Sequence, residues 1–229
     1  MVRAEVKLWW APDPVQVEVL KRPAGGRRTV SVLKPLPRRP VKRWLPDELL
    51  CHDQRVTTLF LLVGLPGAGK TTRARQLAAE NGALRLTPDD WMIPLFGETK
   101  ADGKRDVLEG RMLWLALEAL RLGTNVVVDY GCWSRDERSA IRWLVEAEEA
   151  CFRMIYLPVD EETQRARIAH RWATAPEETP PMSEADIMHG RAHFEEPDAA
   201  ELGNRRSTGP PPEWADWREW AADRWPSFA

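Results

Sequence analysis

Two periodicities alternate along this chain. Thr57-Thr58-Leu59-Phe60-Leu61-Leu62-Val63 is an unbroken apolar run of the kind that forms a strand buried on both faces. Thr72 to Glu80 has a helical pattern that stops at Asn81-Gly82. Ala83 to Thr87 predicts a second, short strand. From about Asp106 to Leu122, the residues Val107, Leu108, Met112, Leu115 and Leu120 draw an apolar stripe at helical spacing, and Gly123 ends it. Asn125 to Asp129 predicts a third strand, closed by a carboxylate. Ser134-Arg135-Asp136-Glu137 is a capping box that opens a helix to about Ala150. Phe152 to Leu157 predicts a fourth strand, and Asp160 caps a helix to about Trp172. A Pro-rich stretch, Ala175 to Met182, interrupts the pattern before Ser183-Glu184-Ala185-Asp186 caps a short helix to Phe194. Repeated strand–helix units predict an α/β fold, a parallel sheet with helices on both faces.

The flanks read differently. Val15 to Leu20 and Thr29 to Leu33 alternate apolar and polar residues around the turn Pro23-Ala24-Gly25-Gly26, which predicts a hairpin. Lys34 to Arg43 carries three prolines and five basic residues and reads as a linker. The expected organisation is therefore a basic, β-rich appendage with its linker over 1–56, a central domain over 57–200, and a Pro/Trp-rich tail over 201–229. In the tail, Trp214, Trp217, Trp220 and Trp225 recur at near-helical spacing, as a short helix packing its Trp face onto the body would require.

Between the first strand and the first helix stands Gly64-Leu65-Pro66-Gly67-Ala68-Gly69-Lys70-Thr71, the G-x-x-x-x-G-K-[ST] phosphate loop. A glycine loop leading into a helix N-terminus points backbone N–H groups and a positive dipole end at one spot. The expected occupant is the phosphate chain of a nucleotide, cradled by Gly64, Pro66, Gly67, Ala68, Gly69, Lys70, Thr71 and Thr72. Lys70 would lie along the β and γ phosphates, and the Thr71 hydroxyl would ligate Mg²⁺.

Composition narrows the field. Lys+Arg 33 against Asp+Glu 35 gives net −2, so overall charge calls for no polyanionic partner. Residues 1–57 are nevertheless basic and the remainder acidic. Three unclustered cysteines fit a reducing cytoplasm without a disulfide framework or zinc site. No apolar run reaches membrane-spanning length, and the N-terminus lacks a signal-peptide layout.

Ligands of open parallel sheets bind beyond the carboxyl ends of the strands, and two further strand ends here carry carboxylates. Thr87-Pro88-Asp89-Asp90-Trp91 follows the second strand. A carboxylate there could take the proton of a hydroxyl attacking a γ-phosphate; the competing role is a helix cap. Asp129 stands where a Walker-B carboxylate supports Mg²⁺, with a turn cap as its alternative. Arg167 and Arg171 share a helical face just before the Pro-rich break, where a lid over roughly 161–194 could close on the nucleotide; a solvated basic face is the alternative. Thr99-Lys100-Ala101-Asp102 matches a guanine-reading pattern but arrives too early and follows no strand. His189 and His193 have metal-pair spacing without the accompanying Glu, and Met188 with Phe194 suggest a helix docked on the core.

In this order the phosphate loop, Thr87 to Trp91, Val126 to Asp129, the capped helix from Ser134 and Arg167/Arg171 resemble small P-loop kinases. That group contains the kinase domain of phage-type polynucleotide 5′-kinase, zeta toxins and chloramphenicol phosphotransferase. More narrowly, the chain is similar to bacterial AAA family ATPases of kinase type. The resemblance covers about 57–200 and implies a P-loop NTPase three-layer sandwich. It implies an ATP·Mg²⁺-dependent phosphotransferase in which Asp89 is general base, Asp129 supports the metal, and Arg167 and Arg171 are lid arginines. Asp90 could share the base role in a shifted register. The acceptor would be a hydroxyl-bearing small molecule or a nucleic-acid 5′ end. Met92 and Ile93 stand where polynucleotide kinases carry an Arg for the substrate phosphate. The alternative function is a nucleotide-hydrolysing switch with no phosphoryl acceptor; a toxin-type kinase is a third.

Overall fold

A computed structural model describes residues 56–97, 103–174, 182–203 and 209–228, together with the backbone of three strands near the N-terminus. The chain divides into two compact units, Met1–Leu45 and Pro46–Ala229.

In the first unit, β1 (Val2–Val6), β2 (Val15–Val19) and β3 (Val30–Pro35) form an antiparallel sheet in the order β1-β2-β3. The hairpin pattern captured β2 and β3 but not β1, whose five residues mix apolar and charged side chains too briefly to stand out. The remainder of the expected linker lies outside the described residues.

The second unit is built on four parallel strands in the order β5-β6-β4-β7: β4 (Thr58–Val63), β5 (Leu84–Leu86), β6 (Val126–Gly131) and β7 (Cys151–Tyr156). Successive side chains of a strand point to opposite faces. Accordingly Leu59, Leu61, Val63, Val126 and Val128 join one apolar cluster, while Phe60, Leu62 and Val127 join another. The second cluster is covered by Ala74 and Leu77 of α1 (Lys70–Asn81). The first is covered by α3 (Lys104–Arg121) and α4 (Arg135–Ala147). This is the α/β P-loop NTPase-type sandwich, helices on both faces of a parallel sheet.

Two features differ from the pattern and a third agrees with it. The segment after β5, to which the pattern assigned no element of its own, forms helix α2 (Pro88–Phe96), with Thr87 as N-cap and Pro88 in its first turn. Its run of large apolar residues hid the helical period, and Pro94 inside it reads as a breaker. Cys151 is disulfide-bonded, against the expectation of three thiols, whereas Cys132 is free and buried. The C-terminal residues do pack as the Trp spacing required: α8 (Trp217–Arg224) lies against α4, and Trp217, Trp220, Trp225 and Phe228 are buried within the larger cluster. A Cβ at Gly110 of α3 would stand 3.1 Å from Trp225 Cβ and 3.0 Å from the Phe228 nitrogen, so glycine there admits the tail.

Three further helices follow β7: α5 (Glu161–Thr174), α6 (Glu184–His193) and the single turn α7 (Ala199–Leu202). Both capping boxes form, Ser134 with Glu137 and Ser183 with Asp186. Thr99 to Asp102 lies outside the described residues. No helix among those described is long and apolar enough to cross a membrane.

Candidate active site

The strand–loop–helix sequence around Lys70 creates the site. Gly64 leaves β4 with φ 153°, and a Cβ there would stand 2.7 Å from the Leu157 carbonyl oxygen, so the loop starts where no side chain fits. Gly64 does not itself line the cleft; Pro66, Gly67, Ala68, Gly69, Lys70, Thr71 and Thr72 do. Lys70 opens α1 and its ammonium donates to the Leu65 carbonyl at 3.1 Å, folding the side chain back over the loop. Burial holds its pKa below the ordinary value, and the nearby carboxylates of Asp129 and Asp89 oppose that fall.

The Thr71 hydroxyl donates to Asp129 Oδ2 at 3.0 Å. Asp129 is only 5% exposed, and burial raises its pKa against the pull of Lys70 and the Thr71 hydrogen bond. Its position depends on an irregularity in the ladder. Leu61 pairs with Val128 and Val63 with Gly131, so β6 has one residue more than β4 across this step, at Asp129-Tyr130. A buried carboxylate and a hydroxyl 3.0 Å apart offer hard oxygen ligands, and that donor set fits a magnesium ion held together with phosphate and water. No cluster of three or more metal-binding side chains occurs among the described residues.

Asp89 and Asp90 occupy the first turn of α2 and line the same cleft, whose volume is about 1910 Å³. They differ in their partners. Asp90 is bound by Arg85, which also donates to the Thr87 hydroxyl at 2.5 Å. Asp89 accepts at Oδ1 from Arg105 Nη1 at 2.8 Å, and its side chain is 53% exposed. Arg105 reaches with its Nε to Glu109, one turn along α3, at 2.9 Å. Arg105 and Glu109 were not among the sequence candidates, although their i,i+4 spacing on the expected helix was the available signal.

Glu109 is buried beside this pair, and burial lifts its pKa to about 7 despite the attraction of Arg105. The folded protein therefore binds this proton more tightly than the unfolded chain. The associated stability is full below pH 4.5 and is lost as pH rises through about 7, a change of about 3 kcal/mol. Glu109→Gln should remove that loss. In urea titrations at pH 4 and pH 8, the variant should gain on the parent by about 3 kcal/mol over this range; parallel profiles would show that Glu109 titrates normally.

From α5, Arg167 donates to the Gly67 carbonyl at 3.2 Å, and Arg171, one turn further, depresses Lys70's pKa through its charge. Both line the cleft. Gln164, which no pattern singled out, is fully buried and joins α5 to the loop. Its Nε2 donates to the Pro66 carbonyl at 3.0 Å, and its Oε1 accepts from Arg191 at 3.1 Å. Arg165 points elsewhere, bonding Glu161 and Glu184. His189 and His193 stack at 4.0 Å, with His193 Nδ1 2.8 Å from the His189 carbonyl oxygen. This helix docks on the core as expected, through buried Ile187 and Gly190 and the half-buried Phe194 that stacks on Tyr156, but Met188 takes no part and is 61% exposed.

The tail also reaches the cleft. Arg224 of α8 bonds Asp106 of α3 at 2.7 Å and Glu137 of α4 at 2.7 Å, so the capping-box glutamate has a second function as an anchor. It lies amid the Trp repeat, whose apolar signal drew attention away from it.

Residues 59–197 match the AAA domain family. No curated protein matches this sequence. Among solved structures, the chain is similar to the Pnkp1/Rnl/Hen1 RNA repair complex with a TM-score of 0.53 and 19% identity, over 66% of this chain. It spans only 45% of that chain's length. A provisionally named kinase of Chloroflexus aurantiacus gives a TM-score of 0.51 at 19% identity, covering 72% of this chain and 95% of the other. Chaetomium thermophilum Kti12, solved with ADP-AlF3, gives 0.51 at 19% identity, covering 75% and 99%. At these identities the structures speak for the fold, and the family match covers well over half of the sequence. The chain thus belongs to the AAA domain family.

Proposed function

We propose that the second unit transfers the γ-phosphoryl group of ATP to a hydroxyl, with Asp89 as general base. The observation that carries this reading is electrostatic: Asp89, Asp129 and Arg171 all act on the charge of Lys70, and all four line one cleft with the phosphate loop. Phosphoryl transfer depends on positioning and charge neutralisation more than on covalent help, and the cleft has groups suited to both. The loop N–H groups and Lys70 bind the β and γ phosphates, while Arg167 and Arg171 approach from α5. A magnesium ion held beside Thr71 and Asp129 would neutralise charge on the phosphates when bound. Asp89 accepts the acceptor's proton as its oxygen attacks, and Arg105 keeps that carboxylate oriented. Such chemistry belongs in an ATP-rich compartment, which we take to be the cytoplasm.

Lys70→Ala tests the reading at its base. It should weaken magnesium-nucleotide binding and lower acceptor-dependent ADP release by about 10²–10³-fold, as loss of a preorganised phosphate contact does. Unaltered binding by calorimetry would remove the phosphate cradle from the account. Slow hydrolysis that no hydroxyl compound accelerates would favour the switch reading instead.

A further inference from the structure

If the second unit is a phosphotransferase, the wall of the cleft around Asp89 restricts its acceptor, and the inference rests on that reading. A phosphate-bearing substrate is ordinarily gripped by a guanidinium or ammonium that has no carboxylate partner of its own. Among the described residues, each arginine of this wall already has one. Arg105 is shared between Asp89 and Glu109. Arg224 is shared between Asp106 and Glu137. Arg85, beside the wall, is held by Asp90 and by the Thr87 hydroxyl. Five carboxyl groups, Asp89, Asp90, Asp106, Glu109 and Glu137, line this part of the cleft with the guanidiniums of Arg105 and Arg224; the other arginines among the described residues that line the cleft, Arg73, Arg75, Arg167 and Arg171, stand on α1 and α5. An anionic group brought here would have to break an existing ion pair or rest against carboxylates. The cations facing the phosphate loop, Lys70, Arg167 and Arg171, are committed to the nucleotide in the phosphotransferase reading.

We propose that the phosphoryl acceptor is a small alcohol without negative charge, and that phosphorylated alcohols, including polynucleotide 5′ ends, are rejected by this wall. Half of the arrangement comes from α8, which lies beyond the residues 59–197 that match the family. The selectivity is therefore a property of this chain's own C-terminal segment. Met92 and Ile93 agree with it: Met92 is fully buried and Ile93 is apolar, so neither supplies a cation to a substrate phosphate.

The test uses the full chain with ATP and Mg²⁺, after magnesium-nucleotide binding has been measured on the same preparation. ADP release is followed with three panels: uncharged polyols and nucleosides, amine-bearing sugars, and phosphorylated sugars together with 5′-hydroxyl oligonucleotides. Stimulation confined to the first two panels is the expected result. A phosphorylated or oligonucleotide acceptor with the higher kcat/KM overturns the proposal while leaving the kinase reading intact. Bound nucleotide with no stimulation from any panel overturns it as well. Absence of nucleotide binding is the separate failure of the underlying reading. Asp106→Asn, at a half-exposed position outside the capping box, loosens one partner of Arg224. It should raise kcat/KM for phosphorylated alcohols relative to uncharged ones by about tenfold, equivalent to about 1.4 kcal/mol. An unchanged ratio would show that Arg224 and its partners do not set the preference.

Discussion

Asp89→Asn should lower phosphoryl transfer by about 10³-fold while leaving magnesium-nucleotide affinity within about threefold, the signature of a lost general base. The amide keeps the shape of the side chain and can still accept from Arg105 through its oxygen, so the first turn of α2 should persist. What it loses is the capacity to take a proton from the attacking hydroxyl. Single-turnover transfer, compared with nucleotide titration of the same variant, separates the two effects. Transfer within tenfold of the parent would take the base role from Asp89. Asp90 would be a poor replacement, because both aspartates are held by an arginine and it is Asp89 whose charge acts on Lys70. The matching change at Asp90 should therefore cost far less activity.

Trp225→Ala should destabilise the second unit by about 4 kcal/mol, within the range for large-to-small changes of a buried aromatic. In a unit of this size that lowers the melting temperature by about 12 °C. Trp225 is 1% exposed, meets Trp220 edge-on at 5.8 Å, and packs against the Gly110 notch of α3. Its indole nitrogen is buried with no hydrogen-bond partner among the described residues. Trp225→Phe should consequently be much milder, since it removes area but breaks no bond. A melting curve unmoved by the alanine change would show that the tail is an accessory to this core. Because Arg224 is the adjacent residue, the alanine variant should also loosen the Asp106 and Glu137 pairs and blunt discrimination among acceptors.

The sequence was most legible where structure is local. The apolar run of β4, the glycine loop and the helix N-terminus at Lys70 are consecutive, so one reading frame contains the whole phosphate cradle. The same holds for β6 ending in Asp129 and for the two capping boxes, whose partners stand three residues apart. Pairings between distant residues were not legible. Arg105 reaches Asp89 across 16 positions, Gln164 reaches Pro66 across 98, and Arg224 reaches Asp106 across 118. Helix α2 was missed for a different reason. Its apolar residues serve a buried neighbour on one side and the cleft rim on the other, so no polar face marks the helical period.

By itself, then, the order of residues determined the α/β class, the anion cradle and the strand ends that carry Asp89 and Asp129, because backbone conformation and side-chain alternation act over a few neighbours. Tertiary structure alone decided which arginine holds which carboxylate, Arg85 with Asp90 and Arg105 with Asp89, and it brought the C-terminal helix to the cleft wall. Those outcomes depend on ion pairs and burial between segments far apart in the chain, whose energies exist only once the core has closed.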